Sequence, residues 1–320
     1  MQRLLYGTAW KKEATADLVF KALKAGFRGV DTAAQPRHYN EPLVGAGIKK
    51  AISEGIVERG DLFVRSNIYL PLFNFILLFS LDSLAATLIL NQIQTKFTPV
   101  SGQDLNNMPY DPRDPLDKQV HASVASSLAN FTFDHDPANA YIDSLVLHSP
   151  PSSHFADLLQ VWQALETYVP HRIRQLGISN TDLHIVNRLC TSPDIRIPPA
   201  VVQNRFYPAT RWEVGLRAYC RAQDITFQTF WTLSGNPELL RSSPVQTLAK
   251  STGITPPVAL YALVLGLEGT TVLDGTTNET HMAEDLKVAE VVDMFAKSED
   301  GQSTWNECLD GFKRLIGESE

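Results

Sequence analysis

Cysteine is scarce: only Cys190, Cys220 and Cys308 occur in 320 residues. They are far apart and odd in number, which excludes a disulfide-stapled scaffold and supplies no metal-ligand spacing. Blocks of Lys or Arg are missing, and so is any interleaving of basic with aromatic residues. With a net charge of −7, a polyanion-binding surface is excluded and no nucleic-acid partner is expected. No signal-peptide pattern follows Met1, so the expected location is the cytoplasm. No low-complexity linker divides the chain. No G-x-G-x-x-G follows the first strand-like segment, which argues against a doubly wound dinucleotide fold.

Charge is nearly missing from one stretch. Between Ile68 and Leu90, 23 residues carry Asp82 as their single charge. That length suffices to cross a bilayer, but Pro71, Asn74, Ser80, Asp82 and Ser83 would be costly in hydrocarbon, so membrane association is not expected. A buried hairpin is the plain alternative.

The rest of the chain is rhythmic. Short apolar, β-branched runs alternate with helical patterns. Strands are expected at 3–10, 27–33, 93–98, 143–149, 173–179, 200–206, 225–231 and 270–276. Helices are expected at 14–26, 41–55, 117–131, 153–168, 181–190, 211–223, 243–252 and 256–266. Eight strands alternating with helices predict an α/β fold, a parallel eight-stranded (β/α)8 TIM barrel. In such barrels chemistry sits at the carboxyl ends of the strands. Asp31, Lys96, His148, Asn180 and Gln203 all fall at or near such ends. Each has a dull reading by itself: a cap, a solvated lysine, a satisfied core histidine. Their shared placement selects them.

The segments GTAW (7–10), GFRGVDTA (26–33), HYNEPLVG (38–45), QTKF (94–97), YIDSLVLHSP (141–150), LGISN (176–180) and VVQNRFYP (201–208) resemble the aldo-keto reductase superfamily, in family order. The resemblance implies a barrel that binds NAD(P)H, with NADP against NAD left open, and a tetrad carried by Asp31, Tyr39, Lys96 and His148. It implies that Ser179, Asn180 and Gln203 hold the nicotinamide carboxamide. Gly7, Thr8, Asp31, Gly275, Thr276, Glu284 and Asp285 are the other expected cofactor-binding positions, the two acids at positions that contact the adenine amine. The chain departs from the family in three places. Tyr39 follows Asp31 by eight positions instead of five. The seventh strand offers Gln228 between Phe227 and Phe230 where an aromatic normally stacks on nicotinamide. Asp274-Gly275-Thr276 replaces a basic phosphate grip, and an acid there is expected to favour a ribose hydroxyl over a phosphate.

The residue types suit the chemistry. Hydride transfer needs a cofactor. A tyrosine hydroxyl is a weak acid until a neighbouring lysine stabilises its phenolate, while an aspartate fixes the lysine. A neutral histidine can donate to the carbonyl oxygen. The expected activity is NAD(P)-dependent reduction of an aldehyde or ketone, reversible as alcohol oxidation. The partners are then a small-molecule carbonyl or alcohol substrate, and the chain is a monomer or weak oligomer. The alternative is a non-catalytic nucleotide-binding relative acting as a regulatory subunit, or a form disrupted by its insertion.

That insertion is the last reading. GDLF (60–63) and IQTKF (93–97) resemble two halves of one family strand, parted by residues 64–92, which span 29 codons in frame. Val codons begin GT and Gln can be CAG, the borders of a spliced intron. Residues 64–92 therefore read as translated intron within a single domain of residues 1–320. A lineage-specific insertion and a membrane hairpin are the other readings.

Overall fold

The computed structural model describes residues 4–60 and 92–318. The apolar stretch, the GDLF half-strand beyond Gly60 and all of the proposed intron except Gln92 lie outside the described residues. Strands β1 (Leu4–Gly7), β2 (Gly29–Asp31), β3 (Gln92–Phe97), β4 (Ile142–Leu147), β5 (Ile173–Ser179), β6 (Val201–Arg205), β7 (Thr226–Phe230) and β8 (Thr270–Asp274) are all parallel. They form one closed barrel in chain order, with β8 paired to β1. The expected barrel is the observed one.

Helices α1 (Thr15–Ala25), α2 (Glu41–Ser53), α3 (Leu116–Asn130), α4 (Phe155–Glu166), α5 (Leu183–Thr191) and α6 (Val214–Ala222) each follow a strand. Two helices, α7 (Pro237–Arg241) and α8 (Ser243–Thr252), precede α9 (Pro256–Leu265), and α10 (Glu279–Asp285), α11 (Val288–Asp293) and α12 (Gln302–Leu315) close the chain. In α1, Leu18, Val19, Ala22 and Leu23 make one buried stripe, and Gly26 ends the helix at φ 125°, a conformation that favours glycine. Helix α9 is buried from Val258 to Leu265, so it reads as nearly continuous apolar sequence. Helix α12 was not anticipated; it buries Trp305, Cys308 and Phe312 along one face. No single helix among the described residues is long and apolar enough to cross a membrane.

Helix α2 matters most for the site, because it fixes the segment that precedes it. Asn40 caps it, accepting from Leu43 N at 3.2 Å, with Pro42 in the first turn. Gly45 lets α2 close on the end of α3: a Cβ there would stand 2.1 Å from the Asn130 carbonyl oxygen. Because backbone must move to relieve that overlap, Gly45→Ala is expected to cost about 2 kcal/mol or more. A thermal melt reads this as a lowered Tm, and an unchanged Tm would contradict the contact.

Candidate active site

Strand β2 ends at Asp31, beside Gly7 on one side and Gln94 on the other. Lys96 lies one inward step beyond Gln94 on β3. Its Nζ donates to Asp31 Oδ1 at 2.7 Å, to Asp31 Oδ2 at 2.6 Å and to the Thr32 carbonyl at 2.8 Å. Both side chains are essentially sealed, at 1% and 2% exposure. Burial lowers the Lys96 pKa, and the Asp31 charge opposes that shift.

The eight-residue separation of Tyr39 from Asp31 has a structural answer. Thr32 N and Ala34 N continue the β3 ladder by donating to the Gln94 and Lys96 carbonyls, at 2.9 and 3.1 Å. The chain then makes one helical turn, with Tyr39 N donating to the Gln35 carbonyl at 3.0 Å. The extra residues are spent in that turn. Gln35 Nε2 donates to the Gly102 carbonyl and Gln103 Nε2 to the Ala34 carbonyl, pinning the loop against the 99–115 segment. The half-buried Tyr39 ring is thereby returned to the mouth. Lys96 Nζ stands 5.3 Å from its centroid, and the His148 ring meets it edge-on at 5.9 Å. The three ammonium protons of Lys96 are all directed at Asp31 and Thr32, so in this arrangement Tyr39 is neighbour, not hydrogen-bond partner, of the lysine. Burial and then the Asp31 charge raise the Tyr39 pKa well above its ordinary range. Tyr39 also lines a cavity of about 340 Å³ with Gln35, Asn40, Met108 and Asn130.

His148 follows β4. Its Nδ1 is 2.7 Å from Thr98 Oγ1. Burial first, then the charges of Lys96, His38 and Arg205, push its pKa down to about 3, so it is neutral at any physiological pH. Asn180, at φ 50°, donates from Nδ2 to the His148 carbonyl at 2.8 Å and accepts on Oδ1 from Arg205 Nη1 at 2.7 Å. Ser179 Oγ donates to the Gln203 carbonyl at 2.6 Å.

Gln203 is not at the open mouth. Its Nε2 donates inward to Asp31 Oδ1 at 3.1 Å and to Gln228 Oε1 at 2.9 Å. Gln94 Nε2 donates to the same two acceptors, at 2.8 and 2.6 Å. A belt of three glutamines from β3, β6 and β7 thus supports Asp31 from below. Gln228 faces into the barrel, Phe227 is buried at 1% exposure, and the rings at the end of β7 are Phe230 and Trp231. Neither Gln94 nor Arg205 was singled out from the sequence. Glu41 was also missed: buried at the start of α2, it accepts from Thr95 Oγ1, from Ser127 Oγ at 2.9 and 3.0 Å, and from Asn130 Nδ2 at 3.0 Å. It ties α2 to β3 and α3, behind Tyr39.

At the β1–β8 seam, Thr8 Oγ1 donates to the Asp31 carbonyl at 2.9 Å, Tyr6 Oη to the Thr276 carbonyl at 2.9 Å, and Lys11 Nζ to the Gly275 carbonyl. Glu284 is half-buried. Asp274 and Asp285 are buried, at 1% and 5% exposure, and burial raises both carboxyls. Asp274 Oδ1 accepts from Thr276 N at 2.9 Å. Burial and then the Asp274 charge push Asp285 up to about 8, with Glu284 adding to the shift; Lys11 and Tyr261 favour the Asp274 anion. A carboxyl whose pKa is raised on folding loses stability as pH climbs from its unfolded value to its folded one. The protein should therefore lose stability between about pH 4 and pH 8 at this pair. Asp285→Asn is expected to raise Tm more at pH 8.5 than at pH 5, and an equal shift at both would refute the raised Asp285 pKa.

An eight-stranded parallel barrel with Asp31, Tyr39, Lys96 and His148 gathered at the carboxyl ends of its strands defines a class of barrel oxidoreductases. Residues 4–298 match the model of the Aldo/keto reductase family. The chain belongs to that family. It is 26% identical to Aldo-keto reductase family 4 member C11 of Arabidopsis thaliana, over 93% of this chain and 87% of that protein. It is 25% identical to the NAD(P)H-dependent D-xylose reductase of Pachysolen tannophilus, covering 88% and 83%. Among solved structures, an aldo-keto reductase from a Medee basin deep-sea metagenome library shares the fold at TM-score 0.65 and 20% identity, over 97% and 92% of the two chains.

Proposed function

We propose that the chain reduces an aldehyde or ketone with NAD(P)H, reversibly, with Tyr39 as the proton donor. The Lys96–Asp31 pair, sealed at 2.6 Å beneath the Tyr39 and His148 rings, carries this reading, because a buried ion pair under two proton-bearing rings is costly without a use. The reading takes residues 1–320 as one barrel domain, with 64–92 inserted.

The mouth suits a flat, amide-bearing ring. Asn180 sets an amide at the rim from a left-handed backbone, and Trp231 at the end of β7 keeps half of its surface exposed. Ser179 and Asn180 would hold the nicotinamide end, and Gly7, Thr8, Gly275, Thr276 and Glu284 the remainder. Gln203 and Asp285 would act behind the surface, through Asp31 and Asp274. When bound, NAD(P)H supplies the hydride that no side chain can.

With Thr98 donating to Nδ1, the single His148 ring proton sits on Nε2 and is available to a carbonyl oxygen. Tyr39 then delivers its proton to the developing alkoxide. For that, one Lys96 proton turns from Thr32 to the phenol oxygen, where it stabilises the phenolate left behind. Asp31 keeps the ammonium in place throughout, because the glutamine belt holds its own carboxylate.

The complete commitment of the Lys96 protons to Asp31 and Thr32 favours one other reading, a non-catalytic nucleotide-binding relative. Following NADH and NADPH oxidation over a panel of aldehydes and ketones separates the two. Carbonyl-dependent oxidation supports the reductase. Dinucleotide binding without turnover of any member would establish the relative.

A further inference from the structure

Arg205 ends β6. Two positions beyond Gln203, it leaves the strand on the same inward side, one layer higher, in the mouth. Its Nη1 donates to Asn180 Oδ1 at 2.7 Å. Its guanidinium carbon stands 5.2 Å from the Phe230 ring centroid and 4.8 Å from that of Trp231. Stacking of this kind desolvates the faces of the cation and leaves its edge free to donate.

That edge lacks an acid. Arg59, Arg196, Arg217 and Arg241 each hold a carboxylate within 3.1 Å. Arg205 has none among the described residues, although the chain carries a net charge of −7. Only one of its five N–H groups has a partner among the described residues. Trp231, which packs on it, is 52% exposed and holds φ at 61°, a conformation disfavoured for a bulky side chain and retained where function uses it. Trp10, 66% exposed at φ 64°, meets the His38 ring at 4.0 Å with the planes tilted by 37°. The Arg205 side of the mouth is therefore aromatic, and among the described residues its cation has no acid of its own.

We propose that Arg205 binds a carboxylate of the substrate, so that oxo acids and carboxyl-bearing aldehydes are preferred over neutral carbonyl compounds. The proposal rests on the reductase reading above. A planar guanidinium edge matches a carboxylate with two parallel hydrogen bonds. Its neighbours, Asn180 and His148, belong to the reacting end of the mouth, where a nicotinamide ring brings no anionic group. The anion then comes from the substrate. The phosphates of the dinucleotide are the other source of anionic oxygen, and the test distinguishes them.

The test is calorimetric titration of para-carboxybenzaldehyde and of benzaldehyde into the full chain, with oxidised dinucleotide present so that no reduction occurs. The acid is expected to bind at least about tenfold more tightly, with the gap narrowing as salt rises. Arg205→Met should abolish the gap and Arg205→Lys should keep part of it, since a lysine preserves charge without the fork. Equal affinities in the unaltered protein would overturn the proposal, as would a gap that survives Arg205→Met. So would a loss in Arg205→Met confined to dinucleotide affinity, which would assign the anion to the cofactor. If Arg205→Met fails to fold, the acid-to-neutral ratio and its salt dependence in the unaltered protein still decide. A carboxylate preference in binding, without NAD(P)H oxidation by any carbonyl compound, would refute the reductase reading and leave the Arg205 site standing.

Discussion

Tyr39→Phe is expected to lower kcat by at least about 10²-fold while the Kd for dinucleotide stays within about twofold of its original value. The ring remains to cover Lys96 and to meet His148, so the packing of the mouth is preserved and only the proton is removed. Stopped-flow hydride transfer and fluorescence titration of the dinucleotide measure the two quantities separately. Parallel losses in both would show that Tyr39 organises the cofactor and does not deliver a proton. The pH profile is a further check. Burial and Asp31 hold the Tyr39 proton on through the alkaline range, and His148 is already neutral above about pH 3. Reduction should therefore run nearly level between about pH 5 and pH 9, and a limb near the usual histidine pKa would contradict the His148 environment.

Lys96→Met should be the most damaging single change to the fold. It removes one member of a sealed pair and leaves Asp31 charged, or forces it to take up a proton. Breaking such a pair from one side costs about 3–5 kcal/mol. Gln94 and Gln203 still donate to Asp31, so the lower figure is expected. Urea unfolding measures it, and turnover should vanish with the ammonium. Adding Asp31→Asn should return part of the stability without returning activity, because the neutral amide removes the uncompensated charge. Stability that falls further in the double variant would mean the belt requires the carboxylate more than the pair does.

The barrel was legible because its alternation is local. Strand expected at 143–149 is Ile142–Leu147, and strand expected at 270–276 is Thr270–Asp274. The helices after β8 were overlooked even though Trp305, Cys308 and Phe312 carry a helical stripe in the sequence. Asp31, Lys96 and His148 could be found because each is fixed by a short strand-end motif. The glutamine belt could not, since Gln94 and Gln228 lie 134 residues apart and meet only through the barrel's register. The bonds of Gln203 to Asp31 and Gln228 could not be read in advance, because strand-end position alone does not say which layer of the interior a side chain occupies. Asp274 and Asp285 looked like open acids because burial is invisible in a polar loop sequence. Arg205 did leave a signal: it stands two residues past Gln203, and strand alternation puts both on one side.

The belt beneath Asp31 also dictates when that charge can be buried. Asp31 accepts from glutamines of β3 and β6, both of which also donate to Gln228 of β7, and β1 finds its second neighbour only in β8. During synthesis the ribosome releases Asp31 and Lys96 long before Gln203 and Gln228. A nascent first half can form the ion pair but cannot enclose it, and an isolated second half would present Gln203 without the carboxylate it donates to. Division of the chain near its middle would thus yield two fragments that each lack what the other supplies, and their association would be read by protection of the Asp31 layer from solvent exchange. In the finished barrel the Asp31 layer is closed by residues from both halves of the chain, Gln94 and Lys96 from the first and Gln203 and Gln228 from the second.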